Sequence, residues 1–370
     1  MLSVIMILGL TACFSAGTPG APGSSAPVNT QVEEGTKKEE ATQAVPSQEA
    51  SSESAEKGSE TAPSESTGTE ESKQDKVRQV LIDNDTCRLE WVSFKIEENG
   101  NNVFNFRFEN KTADTALYFY TPVSTPSHPG DGDVAVNGYV FNTTSSMYWN
   151  ENTYACLNCR EARDYVDPGQ KSDWRIIISA KDLKILGMKT VDRLDLPIIV
   201  QKKGDYRSDP CIVDEKLTLY PTGLNDASFS VPERASAESD RVIAENGIFK
   251  FAAIGTDEKS VYDVFGDNIF KLYFYVQNDS DDFMEIKCRD YSINGIKTES
   301  NINNLFRNYI PPRSKSLYSI DIFNLENIGI KELNEIAFVS RINKYISPGT
   351  PDKITEGSIS IDLTKLRKID

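Results

Sequence analysis

The sequence predicts an all-β protein, two tandem antiparallel β-sandwiches carried on a disordered tether. Three observations lead there. Alternating aromatic, β-branched and polar residues fill positions 77–370 between Asn-Gly, Pro-Gly and Pro-Pro turns, and no stretch carries a long helical period. The same order of segments occurs twice. Ahead of both copies, residues 14–75 hold almost no apolar surface to bury.

The chain opens with MLSVIMILGLTA, an apolar run over residues 1–12 that stops at Cys13. A permanent bilayer-crossing helix needs about 20 apolar residues, so this run reads instead as the apolar region of a secretory signal peptide. Leu10, Thr11, Ala12 and Cys13 resemble the lipobox of bacterial lipoproteins, in which small residues admit a peptidase and the cysteine thiol takes up a diacylglycerol. The resemblance implies lipidation of Cys13 and attachment to the membrane through it; an ordinary signal peptide or a chance cysteine are the alternatives. Residues 1–12 contain no Lys or Arg, so translation is expected to start upstream of Met1.

Residues 13–76 follow as a Ser/Glu-rich tether. Positions 14–75 contain twelve Asp and Glu against four Lys, a net −8 that is half of the whole-chain −16. Such a segment cannot repay its ordering entropy, and its self-repulsion extends it. It reads as a spacer that lifts the folded part off the membrane, or as a linker of no selected length. The acidic balance, with no basic stripe, argues against nucleic acid and anionic lipid surfaces as partners.

The first copy, placed at 77–222, contains VFNFRFENKTADTALYFY; the second, at 245–370, contains IFKLYFYVQNDSDDFMEI. In each, a strand runs into Asn110-Lys111-Thr112 or Asn278-Asp279-Ser280 and resumes, which predicts a hairpin. Asn137-Gly138 and Asn294-Gly295 predict a second tight hairpin, because both turn positions favour positive φ. The turns PGQKS and PRSKS each lead into an alternating strand. Leu183 and Gly187 match Leu325 and Gly329 in spacing, which predicts one helical turn capped by Gly before the last strands. Between the copies, residues 223–244 read as a polar linker. The first copy also carries two long insertions, around STPSHPGDGDVA and SSMYWNENTYACLNC.

Chemistry is sparse. Cys87, Cys156, Cys159 and Cys211 lie in the first copy and Cys288 alone in the second. Cys156 and Cys159 form a C-x-x-C without the second pair that a zinc site wants or the helix start that a redox motif wants. The readings open here are a structural disulfide, with Cys87 and Cys211 able to meet across a sandwich, unpaired thiols, or metal and redox chemistry. The single histidine, His128, sits in a loop beside Pro129 with no nucleophile signature near it. The acids Asp83, Asp85, Asp131, Asp133, Asp279, Asp281 and Asp282 sit in turns and match no full calcium-loop pattern. No catalytic residue, metal or cofactor is expected. The aromatic insertion is the one candidate binding loop: Tyr139, Tyr148, Trp149, Asn150 and Tyr154, with Phe141, Asn142 and Asn152 nearby. Exposed rings beside amides can stack on sugars or anchor a protein; the alternative is that the rings fill the core.

LTAC, FENKT with QNDSD, VNGY with SING, and PGQKS with PRSKS together resemble the immunoglobulin-like repeats of uncharacterised lipoproteins from anaerobic Gram-positive, Clostridia-like bacteria. That resemblance implies tandem immunoglobulin-like sandwiches, an extracytoplasmic location exposed toward the cell wall, and a non-catalytic binding or scaffolding role whose partner is a surface protein or envelope glycan. The alternative function is a solute- or metal-binding lipoprotein serving a transporter, which would show a cleft between the two domains.

Overall fold

The computed structural model describes residues 78–370 except 127–131, 144, 150–153, 159–163, 205–209, 258–268, 299–301, 304–308, 346–351 and 370. The described residues belong to one compact unit, in which strands far outweigh helix. Its first half runs through β1 (Gln79–Asp83), β2 (Cys87–Ile96), β3 (Asn102–Asn110), β4 (Leu117–Tyr120), β5 (Ala135–Val136), β6 (Tyr139–Asn142), β7 (Met147–Trp149), β8 (Tyr154–Cys156), β9 (Asp164–Val166), β10 (Lys171–Ile178), helix α1 (Ala180–Ile185), β11 (Leu194–Lys202) and β12 (Val213–Leu219). The second half has β13 (Arg241–Asn246), β14 (Phe249–Asp257), β15 (Phe270–Asn278), β16 (Phe283–Ile293), β17 (Ile296–Lys297), β18 (Ile302–Asn303), β19 (Tyr309–Ile310), β20 (Ser314–Ile322), β21 (Glu335–Tyr345) and β22 (Asp352–Asp362). Among the described residues no helix is long and apolar enough to cross a membrane.

The hairpins expected at Asn110-Lys111-Thr112 and Asn278-Asp279-Ser280 do not form: β3 pairs with β2 and β10 and β15 with β14 and β20, while the chain after each asparagine crosses to another sheet as β4 or β16. The Asn-Gly turns and the Gly-capped pieces do behave as the sequence predicts. Asn137 and Gly138 turn β5 into β6 at φ 51° and 84°, and Asn294 and Gly295 turn β16 into β17 at 47° and 80°. The matching Leu-Gly pieces become α1, followed by Gly187 at φ 78°, and a 3₁₀ turn over Leu325–Ile328, capped by Gly329 at φ 74°.

The strands form three sheets, in orders β1-β2-β3-β10-β7-β8, β13-β14-β15-β20-β6-β5-β11-β4-β9 and β17-β16-β21-β22; β12 and β18 attach to the second sheet and β19 to the third. Every named pairing is antiparallel except β6 with β20, which is parallel and joins the halves into one sheet. The repeat survives in this topology, because β2-β3-β10 and β14-β15-β20 hold equivalent places in their halves.

Two hydrophobic cores divide the molecule. The first packs Leu89, Phe104, Phe106 and Ile176 of the first sheet on Phe119, Val136, Leu196 and Ile198 of the shared sheet. The second packs Phe251, Phe274 and Ile320 of the shared sheet on Ile286, Phe338 and Ile361 of the third. Successive residues of a strand face opposite ways, and neighbours on β15 belong to different cores, Tyr273 and Tyr275 to the first and Leu272 and Phe274 to the second. The outer sheets therefore lie on opposite faces of the shared one.

Candidate functional site

Of the binding loop predicted from sequence, Tyr139 turns inward into the core. Tyr139 is a correction: it is fully buried on β6, as are Phe141 and, nearly so, Asn142. Tyr148 and Trp149 lie on β7 in register with Ile176 and Arg175 of β10, and Tyr154 opposes Trp149 across the β7–β8 hairpin. Strand β7 holds on β10 the edge position that β6 holds on β20. The insertion thus covers an edge that would otherwise be open to another strand. Asn150, Asn152, Cys159, His128 and Asp131 lie outside the described residues, as do Leu10, Thr11, Ala12 and Cys13. Cys156 ends β8. Cys87 opens β2 as a buried free thiol, and its burial pushes its pKa up. Cys211 lies just before β12 and is partly exposed.

Five of the seven acids singled out in turns are tied to neighbours. Lys111 donates to Asp83, and that bond holds the Asp83 carboxyl below its usual range. Arg313 does the same for Asp281 at 2.9 Å. Asp282 pairs with Lys344 at 2.7 Å, and Asp279 accepts from Gln277 Nε2 at 2.8 Å. Asp133 accepts a long bond from the Ser124 amide at 3.3 Å.

The densest polar cluster is one that the strand patterns did not reveal, at the junction of the halves. Ser179 caps α1, which places Asp182 in its first turn, fully buried. The Asp182 carboxylate accepts from Ser145 Oγ at 2.7 Å, from Ser146 Oγ at 2.6 Å and from the Thr143 hydroxyl. From the second half, the fully buried Lys271 donates to Ser145 Oγ at 3.2 Å and lies 3.6 Å from Asp321, its cross-strand partner. Asp257, the partner of Lys271 on its other side, binds Lys181 of α1 at 2.8 Å. The Tyr273 phenol is pushed well above its ordinary range, chiefly by burial and then by the negative charge of Asp182. Ser145 both accepts from Lys271 and donates to Asp182, so it is committed as a bridge between charges. The arrangement sets buried charges of opposite sign against one another across the junction.

A second clamp comes from the segment read as a linker. The Tyr139 hydroxyl donates to Pro232 O at 2.8 Å and accepts from the Arg234 amide at 3.1 Å. Arg234 and Asp240 form a bidentate buried pair, 2.7 Å in both bonds, beneath which lies the Tyr275 ring. Val231 closes over Gly138, where a Cβ would sit 2.7 Å from a Val231 methyl. Through Pro232 and Arg234 this segment thus touches both halves.

No family model and no curated protein sequence matches the chain. Among solved structures it is similar to the Salmonella enterica SafA pilin in complex with the SafB chaperone, at 9% identity over 70% of this chain and 89% of that one, with a TM-score of 0.17. It is also similar to the collagen adhesin CNA from S. aureus, at 7% identity over 74% and 92%, TM-score 0.16. A third is the Enterococcus faecalis MSCRAMM ACE, at 10% identity over 78% and 94%, TM-score 0.17. Likeness at such TM-scores carries no argument about this chain.

Proposed function

We propose that the chain is a lipid-anchored surface protein whose folded part is a rigid, non-catalytic module for binding or spacing at the cell envelope. One observation carries this reading: the shared sheet and the clamp over residues 231–240 fuse two sandwiches into one body. A stiff body on a long acidic tether suits holding a surface at a set distance from the membrane. Leu10, Thr11, Ala12 and Cys13 supply the anchor in this reading, and an envelope protein or glycan is the partner.

Two experiments test it. Replacement of Cys13 by Ser should move the protein from the membrane fraction to the soluble one; unchanged fractionation would remove the anchor. The immobilised full chain should retain a specific protein or wall glycan, and Trp149→Ala should weaken retention if the insertion takes part. Retention of neither class would sink the binding reading and leave spacing alone. The alternative, a solute- or metal-binding lipoprotein serving a transporter, calls for a cleft between the halves with polar groups converging on it.

A further inference from the structure

A cavity of about 380 Å³ opens at the end of the second sandwich, between the end of β14, the 3₁₀ turn after β20 and the chain's C-terminal segment. Its apolar wall is made by Phe270, Leu325, Leu333 and Leu363. Its size falls within the ~300–1,000 Å³ of small-molecule sites. Two polar features set it apart from a packing gap.

Thr256 lines it while only 1% exposed, and its Oγ1 is buried with no hydrogen-bond partner among the described residues. The register of β14 explains the position. A bulge between Ala253 and Gly255 sets Thr256 opposite Leu272, on the face of the second core. Its main chain is meanwhile committed to Arg367 O and the Ile369 amide. A buried hydroxyl left unpaired costs ~1–3 kcal/mol, so a group that fills the cavity and pairs with it is favoured. At the rim, Lys331 has no ion-pair partner among the described residues, and Lys368 brings a second ammonium group. Glu332 lines the same rim and repels multiply charged anions.

We propose that this cavity binds a small amphipathic monocarboxylate: its carboxylate between Lys331 and the Thr256 hydroxyl, its apolar part against Phe270, Leu325 and Leu363. The site uses none of residues 258–268 and is independent of the envelope partner proposed above.

The test is calorimetric titration of the full chain with sodium hexanoate, with 1-hexanol and inorganic phosphate as controls. Hexanoate should bind saturably and at least about tenfold tighter than either control, and Lys331→Met should weaken it about tenfold, the effect of one charge-assisted bond. Lys331 is exposed, so that variant should keep its fold. Thr256→Val should also weaken hexanoate binding while leaving Tm unchanged or raised, because it removes an unpaired buried hydroxyl at nearly constant shape. Absence of saturable heat, equal binding of hexanol, or full affinity in both variants would overturn the site. A fall in Tm for Thr256→Val would show that the hydroxyl has a protein partner, which also overturns it.

Discussion

Asn110 and Asn278 hold the same place in the two repeats, where the chain leaves one sheet for another: β3 and β4 lie in different sheets, as do β15 and β16. Both are fully buried. Asn110 Nδ2 donates to Thr115 O at 2.9 Å and Val166 O at 2.8 Å, and its Oδ1 accepts from the amide and hydroxyl of Thr112. Asn278 Nδ2 donates to Asp282 O and Pro311 O at 2.8 and 2.9 Å, and its Oδ1 accepts from the amide and hydroxyl of Ser280. Each asparagine thus ties the turn that crosses between sheets to a later segment of the chain. Alanine at either position strands buried main-chain groups, so stability should fall by about 3 kcal/mol in urea unfolding; a loss below about 1 kcal/mol would mean that water replaces the amide. Cys288 gives a pH prediction. Burial pushes its thiol up to about 12 from an ordinary 9.0. A raised pKa contributes its stability in full below the unfolded value and loses it as pH climbs toward the folded one. Stability should therefore decline between pH 9 and 12, and Cys288→Ala should remove part of that decline.

Helix α1 is short, yet its placement depends on a close approach. A Cβ at Gly255 would lie 2.5 Å from Ile185 Cδ1 and 2.9 Å from Arg367 O, so β14 accepts the helix only because that side chain is absent. Gly255→Ala should destabilise by about 1–3 kcal/mol, as overpacked cores do, and adding Ile185→Ala should recover part of the loss. Asp182→Ala should cost more, about 3–5 kcal/mol, because it removes the one anion that three hydroxyls face and leaves Lys271 with less compensation. Its unfolding midpoint in urea measures this. A small effect would show that the serine and threonine hydroxyls repair the cluster among themselves.

The halves share more than a sheet. Ala252, Ile254, Tyr273, Tyr275, Leu317 and the C-terminal Ile369, all from the second half, belong to the first half's core. Removing either half would expose that apolar face. The folded chain should consequently melt in a single calorimetric transition, and the fragment 245–370 should lack a cooperative one. Two separated transitions would show that the halves fold independently. On the first half the edge equivalent to the joint is occupied by β7, so the sheet of β10 closes within its own half while β20 receives β6.

How far all this was legible can be traced through β3 and β15. Both read as alternating strands, and both are strands. The Asn-Gly turns and the Gly-capped helical pieces were equally legible, because their φ demands act on one or two residues with no help from elsewhere. Alternation gives a period but does not say which faces meet water. On β3, Arg107 lies on a partly exposed face and pairs with Asp173 at 2.7 Å. On β15, by contrast, both faces are covered, and Lys271 is buried beside Asp321 and Ser145. The near-continuous Phe270–Val276 run was the signal for that, being the composition of a strand buried on both sides. The β6–β20 pairing left no such mark. Residues 139–142 and 315–318 meet only once two cores have formed around them, and backbone hydrogen bonds between distant segments read no side-chain code. Local turn chemistry and strand periodicity are written in the chain; the union of two repeats into one body, and the burial of Tyr139 that came with it, arose from long-range packing.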